Sequence, residues 1–125
     1  MSETISQRVF VVDDEPVIAT TLGLILRAAG FDTQSFTNPL EALDAANAEQ
    51  PTLLISDVHM PQMFGIELAI QVIAKNPKCK VLLFSGQAST SRLLEKARSQ
   101  GNDFTLIAKP IQPDDLLREI AQILK

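Results

Sequence analysis

The chain has 125 residues, enough for one domain, and its apolar fraction of 46% is ordinary for a globular protein. No apolar run approaches the roughly 20 residues of a membrane span, and the first residues lack the pattern of a signal peptide. The net charge of -4 and the absence of Trp and Tyr disfavour direct nucleic-acid binding. A single cysteine, Cys79, cannot form an internal disulfide, and these features together predict a cytoplasmic protein.

The first quarter of the chain predicts a strand and a helix. Residues 8–12 are rich in β-branched side chains and about as long as one strand. Apolar residues then recur from Ile18 to Ala29 at the spacing of one helical face. Pro16 suits the first turn of this helix, and Gly30 suits its end.

The middle of the chain repeats this alternation twice. A weaker strand is predicted over residues 31–36, and an alanine-rich helix follows over 38–48, opened by an asparagine and a proline. The third strand is predicted over 52–56. Apolar residues at helical spacing then predict a helix over 65–75.

The last third of the chain predicts two more strands and two more helices. The fourth strand, 80–85, is apolar along most of its length, and a helix follows over 89–100. The fifth strand is predicted over 104–108. The fifth helix begins at Pro113 and continues to the end of the chain.

Five strands that alternate with five helices predict βαβ units. The continuously apolar strands predict a parallel sheet that is covered on both faces. A closed barrel of eight such units needs about 250 residues, so the chain is too short for one. The prediction is therefore an open, doubly wound α/β sheet, in which ligands bind beyond the carboxyl ends of the strands.

Polar side chains follow four of the five predicted strands. Asp13 and Asp14 follow the first strand and Asp57 the third, while Ser85 ends the fourth and Lys109 follows the fifth. Because the carboxyl ends of parallel strands meet at one edge of the sheet, we expect these five side chains to converge.

Convergence of these groups has a chemical consequence. Three carboxylates in a partly buried site repel one another, and Mg²⁺ relieves this because it accepts a few carboxylates and keeps several waters. The amine of Lys109 and the hydroxyl of Ser85 suit the oxygens of a phosphoryl group. A carboxylate such as that of Asp57 can act as a nucleophile and form an aspartyl phosphate. The residues thus indicate Mg²⁺-dependent phosphoryl transfer.

Four stretches resemble the receiver domain of two-component response regulators, and the resemblance covers essentially the whole chain, residues 1–125. The most specific stretch begins at Asp57, because the family pattern is Asp, two residues, Met-Pro, any residue, Met, any residue, Gly. The four stretches are Val11-Val12-Asp13-Asp14-Glu15-Pro16, Asp57-Val58-His59-Met60-Pro61-Gln62-Met63-Phe64-Gly65, Ser85-Gly86 and Lys109-Pro110.

The resemblance implies a flavodoxin-like receiver fold with strand order 2-1-3-4-5. It also implies that Asp57 accepts a phosphoryl group from a histidine kinase or a phosphotransfer protein. Asp14 and Asp57 would bind Mg²⁺ directly, and Asp13 would bind it mainly through water. The backbone carbonyl of His59 would be a further metal ligand.

The resemblance further implies a regulatory phosphoacceptor rather than an enzyme, with at most self-directed phosphoryl transfer and autodephosphorylation. Ser85 and Lys109 would bind the phosphoryl oxygens and bias a surface made of the fourth helix, fifth strand and fifth helix, which binds a downstream protein target. The chain ends with the fifth helix, which favours a stand-alone regulator, although a receiver cut from a longer protein is also compatible. Whether phosphorylation drives formation of a homodimer is left open.

Two features near the site call for separate interpretation. The family often has Tyr or Phe three residues before the lysine, where this chain has Leu106, and Phe104 lies two residues further back. Either an insertion displaces the aromatic residue or the aromatic rotamer switch is absent. In the family, the side chains at the positions of His59 and Gln87 border the path of the water that attacks the phosphoryl group.

Two other functions stay open at this point. One is a scaffold that retains the acidic site without being phosphorylated. The other is a Mg²⁺-dependent phosphotransferase or phosphatase that acts on an external substrate, since such enzymes also use aspartate nucleophiles. The chain has no cap domain or evident substrate-binding insertion, which disfavours the enzyme.

Overall fold

The computed structural model describes residues 7–86, 90–102 and 104–125, without the side chains of Thr90, Ser91 and Leu93. Within these residues the strands are β1 (Arg8–Val12), β2 (Asp32–Phe36), β3 (Leu53–Asp57), β4 (Lys80–Ser85) and β5 (Thr105–Ala108). The helices are α1 (Pro16–Ala28), α2 (Pro39–Glu49), α3 (Gly65–Lys75), α4 (Thr90–Ser99) and α5 (Pro113–Ile123). The predicted alternation of strands and helices is confirmed.

The strands form one parallel sheet in the order β2-β1-β3-β4-β5, so the predicted fold class and strand order are confirmed. After β2 the chain crosses over β1 and continues on its other side with β3. The carboxyl ends of β1 and β3 therefore flank the point at which the direction of winding changes. In open α/β sheets this is the place where ligands bind.

The sheet separates two apolar cores, because successive side chains of a strand point to opposite faces. Phe10 and Val12 of β1 pack toward α2, α3 and α4, whereas Val9 and Val11 pack toward α1 and α5. Each fully buried side chain of this size stabilises the fold by roughly 1.5–3 kcal/mol. The two cores fix β1 and β3 from both sides, and with them the residues at the strand ends.

The observed boundaries differ from the predicted ones by a residue or two, and one of these differences concerns an aromatic residue. Phe104 is predicted to begin the fifth strand, but it lies one residue before β5 and its ring is buried in the core that faces α2, α3 and α4. Leu106 is partly buried against the same core. The aromatic ring of this segment is thus a core side chain at position 104, two residues from the position that the family often gives to an aromatic residue.

The single cysteine belongs to the packing of the fold. Cys79 is buried immediately before β4, and its Sγ lies 3.3 Å from the backbone oxygen of Lys80. Burial raises the pKa of its thiol to about 11, which keeps the thiolate scarce at neutral pH. Among the described residues, every helix is too short or too polar to cross a bilayer.

Candidate functional site

Three carboxylates meet beyond the ends of β1 and β3. Asp13 and Asp14 follow β1 directly, and Asp57 is the last residue of β3. Each of the three offers an oxygen that lies within 4.8 Å of the oxygens of the other two. Asp13 and Asp57 are buried, with 0% and 6% of their surface exposed, and Asp14 is partly exposed. Such a cluster of oxygen ligands with one open side is suited to a hard divalent cation.

Backbone hydrogen bonds hold the Asp13 carboxylate in place. The backbone N–H of Asp13 donates to the carbonyl of Phe36 at 3.1 Å, which continues the pairing of β1 with β2. The backbone N–H of Glu15 donates to Oδ1 of Asp13 at 2.9 Å. The turn between β1 and α1 is therefore closed by the carboxylate itself, and its second oxygen points to the cluster side, where Lys109 lies 3.4 Å from Oδ2.

The loop after Asp57 returns to β3 at very short range. The backbone N–H of Gly65 donates to the carbonyl of Val58 at 2.8 Å, and the Ser56 hydroxyl donates to the Asp57 carbonyl at 2.9 Å. A Cβ on Gly65 would lie 2.1 Å from that same Asp57 carbonyl oxygen. No side chain fits there, so glycine at position 65 permits the first turn of α3 to pack against the phosphoacceptor candidate.

Lys109 brings a cation to the carboxylates. Its Nζ lies 3.4 Å from Oδ2 of Asp13 and 3.5 Å from Oδ2 of Asp57. Its backbone N–H donates to the carbonyl of Ser85 at 3.0 Å, which ties the end of β5 to the end of β4. Its Nζ also lies 5.2 Å from the centroid of the Phe84 ring.

The electrostatic balance of the cluster is unfavourable for two of the carboxylates. Burial raises the pKa of the Asp13 carboxyl and that of the Asp57 carboxyl above the ordinary value, and repulsion from neighbouring carboxylates acts in the same direction. The Lys109 ammonium lowers both pKa values but does not cancel the effect of burial. One cation against three carboxylates leaves the site short of positive charge.

The remaining predicted site residues lie at the same edge of the sheet. Ser85 is buried at the end of β4, one residue beyond the Phe84 that pairs in register with Asp57. The backbone N–H of His59 donates to the Asp57 carboxylate, and the His59 ring contacts the Phe64 ring edge-on at 5.7 Å. The role of the His59 carbonyl as a metal ligand stays a prediction, and Gln87 lies outside the described residues.

An apolar groove begins beside Lys109 and runs between α1 and the segment that joins β5 to α5. Its volume is about 540 Å³. One of its walls is Val17, which is 77% exposed. The lining residues are Val17, Ile18, Thr21, Leu22, Ile25, Lys109, Pro110, Ile111 and Pro113.

Sequence reasoning did not identify three residues that shape the site. Phe84 lies in an apolar strand and has the pattern of a core residue, so nothing in the sequence indicates a contact with Lys109. Ser56 is likewise inside a strand. Gly65 belongs to the family motif quoted above, and the motif marks the position without revealing the lack of space at its Cα.

Comparison with known proteins shows the family to which the chain is similar. The pattern of the family described as "Response regulator receiver domain" matches residues 9–121. The chain is 28% identical to the chemotaxis protein CheY of Listeria monocytogenes over 94% of this chain and 98% of CheY. It is also 28% identical to the DNA-binding response regulator MtrA of Mycolicibacterium smegmatis, over 98% of this chain and 53% of MtrA. The chain thus spans about half the length of MtrA and nearly all of CheY.

A solved structure shows the same fold. The chemotaxis protein CheY4 of Vibrio cholerae superimposes with a TM-score of 0.85 at 25% sequence identity, over 95% of this chain and 99% of that one.

Proposed function

Because the chain belongs to the response regulator receiver family, a family of signalling modules in two-component systems, we propose that Asp57 is its phosphoacceptor and that residues 1–125 act as one receiver domain. The observation that carries the proposal is the cluster of Asp13, Asp14 and Asp57 with the Lys109 ammonium 3.5 Å from Asp57. A buried nucleophile beside other acids and one cation has the composition that transfer of a phosphoryl group to a carboxylate requires.

The residues present fit a magnesium ion. Asp14 and Asp57 would hold it directly, Asp13 mainly through water, and the backbone carbonyl of His59 would complete the protein ligands. All are hard oxygen donors, and the raised pKa values of Asp13 and Asp57 reflect buried carboxylates that gain from a cation. When bound, Mg²⁺ neutralises charge that develops on the phosphoryl oxygens.

The transfer step uses one carboxylate oxygen of Asp57. This oxygen forms a bond to phosphorus while the bond from phosphorus to the donor's imidazole nitrogen breaks, and the electron pair of that bond stays on the nitrogen. Lys109 would bind an oxygen of the incoming phosphoryl group, because its ammonium already lies beside the Asp57 carboxylate. Ser85 would donate its hydroxyl hydrogen to another of these oxygens.

The new phosphate changes the charge of the site by about -1.5 to -2. Lys109 and Ser85 lie at the ends of β5 and β4, and they would shift toward the phosphate. Their shift would alter the surface formed by α4, β5 and α5, on which a downstream protein target would bind. This output role follows from the position of both residues at strand ends that lead into α4 and α5.

The phosphodonor would be a protein that seats on the apolar groove beside Lys109. α1 has a single charged side chain, Arg27 in its last turn, and its surface at the groove is apolar. A groove that touches the site residue Lys109 at one end places a docked partner within reach of Asp57. A histidine kinase or a phosphotransfer protein fits this arrangement.

The first experiment tests the phosphoacceptor. Purified chain is incubated with acetyl phosphate and Mg²⁺, and phosphorylation is followed by intact mass. We expect one added phosphoryl group on the wild type and none on Asp57→Asn. Asp32→Asn is the control, because it removes an exposed aspartate away from the site, and it should also gain one group.

The three alternatives give different results. A stable label supports the phosphoacceptor, and release of phosphate from added phosphoesters over many turnovers supports an enzyme that acts on external substrates. Absence of label with acetyl phosphate, with beryllofluoride and with the histidine kinases of the same genome supports a scaffold. Unchanged labelling of Asp57→Asn contradicts the assignment of Asp57.

The second experiment tests the groove. Val17→Asp places a charge in the groove. Leu24→Asp is the control, because Leu24 is also on α1 and solvent-exposed, at 59%, but lies outside the groove. We expect Val17→Asp to slow phosphoryl transfer from the cognate kinase about tenfold, as for a well-packed interface residue. Transfer from acetyl phosphate should stay unchanged. Equal effects of the two variants would contradict docking at the groove.

A further inference from the structure

We infer that the ring of Phe84 is a positioning residue that holds the Lys109 ammonium beside Asp13 and Asp57. The inference rests on the proposed function, because it assigns a role in phosphoryl transfer at Asp57. It adds an aromatic partner to a site otherwise made of carboxylates, a hydroxyl and an amine.

Phe84 contacts both sides of the site. It is the residue of β4 that pairs in register with Asp57, and its backbone carbonyl accepts a hydrogen bond from Val58 at 3.0 Å. Its ring lies 5.2 Å from Nζ of Lys109, within the roughly 6 Å at which an ammonium is attracted to an aromatic face. One residue thus fixes the backbone next to the nucleophile and contacts the cation that serves it.

The surroundings make this contact stronger than it would be on an open surface. Phe84 is 0% exposed, and the side chain of Lys109 is 23% exposed. The Lys109 side chain is thus largely shielded from solvent, and cation–π attraction grows with desolvation. An aliphatic side chain at position 84 would also be apolar but would offer no negative ring face.

The Phe84 ring keeps its place during the reaction, whereas the oxygens that surround the Lys109 ammonium change. In the unmodified protein, Lys109 contacts Asp13 and Asp57 at 3.4 and 3.5 Å. When the metal and the phosphoryl group arrive, the oxygens around the ammonium change. The Phe84 ring is anchored in the core with Leu82 and Ile120 and is the partner that stays, so it limits the positions that the ammonium samples throughout.

The test replaces the ring face without changing its shape. Trifluorophenylalanine is placed at position 84, because fluorination withdraws charge from the ring face and weakens the attraction for a cation. The same residue at position 10 is the matched control. Phe10 is equally buried and contacts another aromatic ring, that of Phe36, at 4.8 Å in the other core. Phe84→Leu and Phe10→Leu form a second matched pair.

Two readouts are followed: the rate of phosphorylation by acetyl phosphate with Mg²⁺, and the ¹H shift of the Lys109 ε-methylene, which a nearby ring face moves upfield. We expect the fluorinated ring at position 84 to slow phosphorylation about two- to fivefold. We expect no change from the fluorinated ring at position 10. In Phe84→Leu the ε-methylene resonances should lose their upfield shift, and in Phe10→Leu they should keep it.

The outcomes separate this role from general packing and from the proposed function. Equal rates for the fluorinated and natural ring at position 84, or equal losses at positions 84 and 10, would overturn the positioning role. Lack of phosphorylation of the wild type would refute the function proposed for Asp57. The shift of the Lys109 ε-methylene would still decide whether Phe84 holds the ammonium, and an unshifted resonance in the wild type would refute the contact.

Discussion

The two ends of β1 treat charge in opposite ways. At its beginning, Arg8 contacts Asp32 through Nη2 and Oδ2 at 2.9 Å and also pairs with the carboxylate of Glu49. The side chains of Arg8 and Asp32 are 41% and 52% exposed. Just beyond its other end, Asp13 is fully buried next to two further carboxylates and one lysine. The same strand therefore joins a solvated ion-pair cluster to a buried acidic cluster.

The difference separates charges that pair in solvent from the buried charges to which we assign the function. An exposed ion pair contributes about 0–1 kcal/mol, and water solvates its partners if the pair breaks. Two unit negative charges at 4.8 Å, the upper limit of the separations within the cluster, repel by about 3.5 kcal/mol at an effective dielectric constant of 20. The apolar packing of β1 and β3 does not require three acids at the carboxyl ends of these strands. They lower the stability of the fold, and a cation of the kind proposed for this site would offset that cost.

The largest expected effect concerns space at the buried end. Gly65→Ala places a Cβ 2.1 Å from the Asp57 carbonyl oxygen, so backbone must move and the Ser56 hydrogen bond to that oxygen must change. We expect the free energy of unfolding to fall by about 3 kcal/mol, at the upper end of overpacking effects. Urea denaturation followed by circular dichroism measures it.

The matched control for this substitution is Gly86→Ala, just after β4. Among the residues that the structure describes, a Cβ there would have its nearest contact at 3.8 Å, with Cβ of Lys109, which is ordinary van der Waals distance. We expect a change below about 0.5 kcal/mol, as for most tolerated substitutions. Similar losses in both variants would show that the close approach at Gly65 is not what makes glycine necessary.

The next effect has opposite signs at the two ends of β1. Asp13→Asn removes one buried negative charge and keeps an oxygen that accepts from the Glu15 N–H. In Mg²⁺-free buffer we expect the free energy of unfolding to rise by about 1 kcal/mol, since relief of repulsion exceeds the lost pairing with Lys109. Asp32→Asn should lower it by less than 1 kcal/mol. Destabilisation by Asp13→Asn would contradict the view that the acidic cluster opposes folding.

The sequence predicts one of these two ends far better than the other. The alternation of strands and helices is enough to place Asp13, Asp57 and Lys109 at one edge, because strand ends converge in any parallel sheet. The pairing of Arg8 with Asp32 and Glu49 depends on which side chains of β2 and α2 face the start of β1. Local patterns do not contain that information.

The same reason explains what was missed inside the site. Phe84 is recognisable as a core residue from its apolar neighbours, but its contact with the Lys109 ammonium depends on how β4 and β5 are aligned with each other. This alignment is the register of the two strands, in which Phe84 pairs with Ile107. The family motif likewise marks Gly65, whereas the 2.1 Å approach to Asp57 appears only in three dimensions.

The acidic end of β1 should also make the stability of the fold depend on pH. Burial raises the pKa of Asp13 and Asp57 in the fold above the ordinary value of 3.8. The folded state then holds more protons than the unfolded state between these values, so stability falls as the pH rises through that window. Below the ordinary pKa the cost disappears, and above the raised pKa it is complete.

A comparison of variants isolates this effect from other acids. Urea denaturation is measured for the wild type and for the double variant Asp13→Asn with Asp57→Asn, from about pH 4 to pH 7 with a chelator present. We expect the stability advantage of the double variant to grow as the pH rises through the window. An advantage that is constant with pH, or that shrinks, would show that these carboxyl groups do not titrate above their ordinary pKa.

The smallest expected effect tests whether solvent exposure alone determines how much each ion pair contributes to the free energy of unfolding. Arg8→Met keeps an unbranched apolar stem and removes the contacts with Asp32 and Glu49, and we expect a loss of about 0.5–1 kcal/mol. Arg118→Met removes a more exposed pair with Asp115, within α5, and should cost about 0.3 kcal/mol. Both losses should shrink in 1 M NaCl, where the screening length is about 3 Å. A loss at Arg8 that persists in high salt would mean that the start of β1 depends on the packing of the arginine stem rather than on its charge. The two ends of β1 would then differ in packing as well as in charge.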